Sequence, residues 1–102
     1  MLKHYVYKSD KLIHILLEHT TKTPKQDCTI SSISITGDFF VYPEESLDTL
    51  EATLIGTKLD RYDIRQRVWQ WLQGSQVFGF DIDSLTEAIM RCFHTGEDNH
   101  KI

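Results

Sequence analysis

Clustered positive charge is missing from this chain of 102 residues: its eleven Lys and Arg residues never stand side by side, and the formal net charge is −4. Nucleic-acid binding through a basic face is excluded on that ground. Long apolar runs are missing too. The most apolar stretch, Leu12-Ile13 and Ile15-Leu16-Leu17 broken by His14, falls far short of the roughly 20 residues of a membrane span. Met1-Leu2-Lys3-His4-Tyr5 lacks a signal-peptide core, so a soluble cytoplasmic protein with no membrane partner is expected. Cysteine is scarce. Without an export signal the compartment is reducing, and Cys28 and Cys92 are expected as two free thiols, Cys92 in the core. Gly37, Gly56, Gly74, Gly79 and Gly96 stand singly, which excludes a glycine-rich phosphate loop.

What remains is ordinary globular composition, 40% apolar and 25% charged, in a length that makes one domain. Such a chain buries roughly two-thirds of its unfolded surface, enough for one core. The domain is expected to span 1–96, with 97–102 a polar, frayed tail.

Aromatic and β-branched residues over 2–8 predict a strand, Ser9-Asp10 a turn, and Lys11 to Glu18 a second strand. Ile13, Ile15 and Leu17 then share one face, and Leu12, His14 and Leu16 the other. Residues 19–27 form a polar loop around Pro24. A third strand runs from about Cys28 to Thr36, where Ile30 falls out of step with Ile33 and Ile35 and so predicts a bulge. Gly37 lets the strand bend, and Phe39, Phe40 and Tyr42 follow, with Pro43 as a stop.

Pro43-Glu44-Glu45 reads as the first turn of a helix carrying Leu47, Leu50 and Leu54, with Gly56 as its C-terminal cap. A second helix starts near Asp60, places Ile64, Val68, Trp71 and Leu72 on one stripe, and stops at Gly74. Val77-Phe78-Gly79-Phe80 reads as a connector. Ser84-Leu-Thr-Glu87 fits a capping box, followed by a stripe of Leu85, Ala88, Ile89, Cys92 and Phe93. The expected fold class is α+β: a three-stranded antiparallel meander with about three helices packed on it.

Catalytic groups are hard to assemble. Cys92 lies on an apolar stripe, where a thiol is inert packing; Cys28 follows a polar loop but has no activating neighbour in sequence. The histidines at 4, 14, 19, 94 and 100 show no metal-ligand spacing, so no metal site is expected. His14 reads as a half-buried strand histidine with a backbone partner. Glu44-Glu45 serves the helix dipole rather than acid–base chemistry. Trp69 and Trp71 cannot face one core from a helix; the pair fits either a helix packed on two sides or an aromatic anchor at a partner surface. Phe39 and Phe40 pose the same question, because successive strand residues face opposite ways.

Taken together, Lys11-Leu12-Ile13, the run Ile35-Thr-Gly-Asp-Phe-Phe-Val-Tyr-Pro-Glu44 and Leu50-Glu-Ala-Thr-Leu-Ile-Gly56 resemble the C-terminal domain of lipoate–protein ligases. As a short chain with its own methionine, the sequence is similar to the small accessory subunit of the two-part ligases known from archaea. The resemblance implies a small α+β domain that is non-catalytic alone and forms a heterodimer with a large catalytic subunit. That complex uses ATP, Mg2+ and lipoate to make lipoyl-AMP (lipoyl-adenylate), then modifies a lysine of a lipoyl-acceptor domain. The catalytic lysine and adenylate pocket belong to the large subunit, so no cofactor is held by this chain alone.

Residue by residue, Lys11, Gly37, Asp38, Phe39, Phe40 and Gly56 match positions of that family. The resemblance implies a partner interface at Gly37, Asp38, Phe39, Phe40 and Tyr42, and gives Lys11 as a residue that either offers its charge to the adenylate or pairs with acids of the partner. The sequence departs from the family where Ser9-Asp10 replaces a glycine turn, where His14 replaces a basic residue, and in a longer loop 19–27. The rival readings are a scaffold like those of iron–sulfur assembly, with Cys28 as its reactive thiol, and a free-standing small enzyme.

Overall fold

In the computed structural model, which describes residues 2–8, 12–20, 28–95 and 97–98, the elements run from sheet to helices and back. Strands β1 (Leu2–Lys8), β2 (Leu12–His19) and β3 (Ile30–Gly37) form the antiparallel meander. Burial alternates strictly along β2, with Ile13, Ile15 and Leu17 fully enclosed and their neighbours outside. Opposite Glu18 and His19 the register steps from Ser32 to Ile30, leaving Ser31 unpaired. This is the bulge that the displaced Ile30 implied, and it returns Ile30 to the buried side.

Three helices cover one face of the sheet: α1 (Ser46–Leu54), α2 (Arg61–Leu72) and α3 (Ile82–Thr95). The stripe of α3, from Leu85 to Phe93, enters the core as its spacing predicts, and Leu50, Leu54, Ile64 and Val68 complete it from α1 and α2. On β1, Lys3 turns toward the helices and donates from Nζ to the carbonyl of Phe93 at 2.5 Å, satisfying a helix end. The fold class is α+β, because the strands of the meander come in one run and the helices largely follow in another, gathered on one face of an antiparallel sheet.

Several boundaries differ from the sequence reading, each for a local reason. The first helix begins at Ser46, not Pro43, because the amides of Ser46 and Leu47 close tight three-residue turns onto the carbonyls of Pro43 and Glu44. Gly56 still follows the helix end with φ of 84°. The box at the start of α3 sits one turn earlier than Ser84…Glu87. The Asp81 Oδ1 accepts from the amide of Ser84, and the Ser84 hydroxyl accepts from the amide of Asp81. Glu87 is thereby released to accept from Arg61 and Arg91, each at 2.7 Å, which holds its carboxyl below the usual range.

Val77 and its neighbours are not a connector but a strand, β5 (Gln76–Phe78), paired antiparallel with β4 (Phe40–Tyr42) in a separate two-stranded ribbon. Glu97–Asp98, expected to fray, adds a short strand β6 beside Lys3 and His4 at the β1 edge. The turn Ser9-Asp10, Lys11, the loop residues 21–27 and residues 99–102 lie outside the described residues. Cys28 is buried, in a segment tied down where the Leu59 amide donates to the Cys28 carbonyl and Thr29 bridges to Lys58.

Candidate functional site

The ribbon is placed by a bend at the end of β3. Gly37 pairs with Ile13 so closely that a Cβ would lie 2.1 Å from the Leu12 carbonyl oxygen, and the next amide, of Asp38, donates to that same oxygen at 3.0 Å. With φ of 151° as well, the position admits only glycine. The chain turns off the sheet here and runs out through Phe39 into β4.

Phe39 and Phe40 separate at this point. Phe39 packs inward, its ring edge-to-face with Phe80 at 5.0 Å, and Phe80 stacks in turn on Trp71 at 6.4 Å. Trp71 is buried, with its indole N–H donated to the Ser46 carbonyl at 2.7 Å. Val41 is buried beside them. Gly79, with φ of 117°, passes so close beneath Phe39 that a Cβ would sit 2.7 Å from that side chain's own Cβ. The ribbon therefore rests on a continuous aromatic run reaching to α2 and the start of α1.

Its other face is bare. Phe40 opposes Phe78 across the ribbon, ring centroids 6.5 Å apart, and Tyr42 follows along β4 opposite Gln76. These three aromatic side chains are 55%, 62% and 61% exposed, in the order Phe40, Phe78, Tyr42. Aromatic residues are enriched at protein–protein contacts relative to the rest of a protein's surface. Of the residues singled out in sequence, Phe40 and Tyr42 are thus presented outward. Gly37 and Asp38 form the exposed bend, and Phe39 supports it from within. Phe78 was missed because Val77-Phe78-Gly79-Phe80 looked like a connector; its alternation of large residues around Val77 was the available signal.

The remaining candidates are dispersed. Trp69 is exposed, as one of the two tryptophans had to be, and lines a shallow groove of about 470 Å3 with Tyr62, Arg65, Gln66 and Ile82. Arg65 is engaged by Asp83 there. The thiol of Cys92 is pushed up to about 12 by burial, against a small opposing pull from Lys3, and points at the Ile15 carbonyl 3.9 Å away. His14 is exposed, its ring edge-on to His4 at 6.1 Å. Among the described residues no three of His, Cys, Asp and Glu come together as metal ligands, and no helix is long and apolar enough to cross a membrane.

No protein-family model matches the chain, and no curated protein does. A solved structure does match. It belongs to an archaeal lipoylation system from Thermoplasma acidophilum, described as a bi-partite lipoate protein ligase and its E2 lipoyl domain. The similarity extends over 87% of this chain and 94% of that one, at 26% sequence identity and a TM-score of 0.72.

Proposed function

We propose that this chain is the accessory, non-catalytic subunit of a two-part lipoate–protein ligase. It docks on a larger catalytic chain and completes the chamber in which lipoate is activated by ATP and Mg2+ to lipoyl-adenylate, before transfer to a lysine of an acceptor domain. The outward aromatic face of Phe40, Tyr42 and Phe78 carries the reading, because it grows out of the Gly37–Tyr42 block on which the family resemblance rests. Near-complete coverage of both chains in the archaeal match means a neighbour of about this length, which fits the smaller part of a bi-partite ligase.

The energetics fit docking. Aromatic side chains bury 150–250 Å2 each, so the exposed portions of these three offer roughly 350 Å2. That is somewhat under half of the ~800 Å2 one partner contributes to a standard interface. Aromatic residues are the type that forms binding hot spots. The catalytic lysine and nucleotide pocket belong to the larger chain in this scheme. On the family resemblance, the positive charge of Lys11 serves either the anionic adenylate or acidic residues of the catalytic chain.

The test is an adenylation assay with the catalytic chain, run with and without this protein, reading pyrophosphate release from lipoate and ATP. Activation should need both chains, and Phe40→Ala should weaken their association by tenfold or more. Full activation by the catalytic chain alone would overturn the reading. So would a lipoyl mass gain on a lysine of this chain, which would make it an acceptor instead.

A further inference from the structure

We infer that the face of the sheet turned away from the helices is a contact surface between two copies of this chain, packed sheet on sheet about a two-fold axis. The helices cover only the side of Ile13, Ile15 and Leu17; the opposite side carries His4, Val6 and Lys8 from β1, Leu12, His14, Leu16 and Glu18 from β2, and along its β3 edge the small polar Ser32, Ser34 and Thr36. An antiparallel sheet with one face in water normally alternates apolar and polar residues. Here Val6, Leu12 and Leu16 stand on the wet side at 49%, 37% and 37% exposure, side by side with the two histidines.

The face is self-complementary in charge. Glu18 lies at one end, beyond the His4–Leu16 pair, and Lys8 at the other end, paired with Leu12. A two-fold axis between the sheets, perpendicular to the strands, reverses one copy over the other. It brings Lys8 of each copy to the end that holds Glu18 of the other, offset laterally by one strand spacing of about 4.8 Å. A lysine side chain spans that offset. The same rotation sets Val6 over His4 and Leu16 over His14, aliphatic against imidazole, and lays Leu12 over the aliphatic stem of Glu18, whose carboxylate turns aside to Lys8. An isologous contact of this kind closes as a dimer. The alternative rotation, about an axis along the strands, would put Glu18 over Glu18's own end and leave the charges unpaired.

Sedimentation equilibrium of the full chain tests this. A reversible dimer is expected, and Leu16→Glu should raise its dissociation constant by tenfold or more while the far-ultraviolet circular dichroism of the chain stays unchanged. Lys8→Glu and Glu18→Lys should each weaken the dimer by several fold, and the double swap should restore it. A chain that is monomeric throughout overturns the inference, as does a double swap that restores nothing. Loss of catalytic-chain binding in Leu16→Glu, starting from a parent that sediments as a monomer, would assign this face to the other partner instead. Phe40→Ala leaves the dimer unchanged, so failure here is separable from failure of the ligase reading.

Discussion

Phe39 and Phe40 are neighbours in sequence and opposites in environment. One ring lies edge-to-face on Phe80, 5.0 Å away; the other stands in solvent across from Phe78. The alternation of successive residues where the chain enters the short strand at Phe40 enforces the split.

Alanine at the two positions should therefore act on different quantities. Phe39→Ala should lower stability by about 2–3 kcal/mol, as removal of a well-packed ring does. Phe40→Ala should change stability by no more than about 0.5 kcal/mol and show its effect in partner binding. Urea denaturation and a binding titration, run on both variants, read the two separately.

Gly37→Ala should be among the most damaging single substitutions. Its Cβ cannot be placed without moving the Leu12 carbonyl, which already accepts from Asp38. Gly74→Ala, where a Cβ meets open space, is the control and should be nearly neutral. Thermal unfolding of the pair measures the contrast.

The amide of Ile35 on edge strand β3 donates to the Glu51 carboxylate of α1 at 2.8 Å. Glu51→Ala should cost about 1–2 kcal/mol, because it leaves a partly buried amide unsatisfied. Glu51→Gln retains an acceptor and should recover most of that loss. Chemical denaturation of the three proteins distinguishes a bonding role from simple helix propensity.

Cys92 links stability to alkaline pH. Its thiol titrates near 12 in the fold but near 9 once unfolded, so the unfolded chain gives up a proton that the native one keeps. Stability is fully present below about pH 9 and falls as pH rises toward 12, by the linkage of proton binding to folding. Cys92→Ala should flatten the difference in melting temperature between pH 8 and pH 10 relative to the parent. Iodoacetamide at neutral pH should leave Cys92 unmodified until denaturant is added; a rapidly alkylated Cys28 under the same conditions would revive the iron–sulfur-scaffold reading.

Trp71 and Trp69 give a spectroscopic check on the aromatic run. With Trp71 buried and bonded to Ser46, Trp69→Phe should leave a blue-shifted, poorly quenched emission, and Trp71→Phe a red-shifted one that iodide quenches. Loss of the indole bond should also lower stability by about 1–3 kcal/mol.

Much of this was legible from period and punctuation. The alternation over Leu12–Leu17, the displaced Ile30, the stripe from Leu85 to Phe93 and the glycine at 56 each state a local requirement, and local requirements survive folding. Cap positions were less legible: Asp81 and Ser84 both suit the start of α3, and sequence cannot say which amide is left bare. The ribbon was hidden because Phe40 and Phe78 are separated by two helices, and three-residue strands carry too little pattern to announce a pairing.

By itself, the sequence determined the three long strands and the three helices, which side of β2 and α3 would be buried, and that one of Phe39 and Phe40 and one of Trp69 and Trp71 must leave the core. Which one faces out, and what stands beside it, was decided only in three dimensions. Burial of Phe39 depends on Phe80 and Trp71 arriving from distant parts of the chain, and a pleat specifies alternation but not its phase.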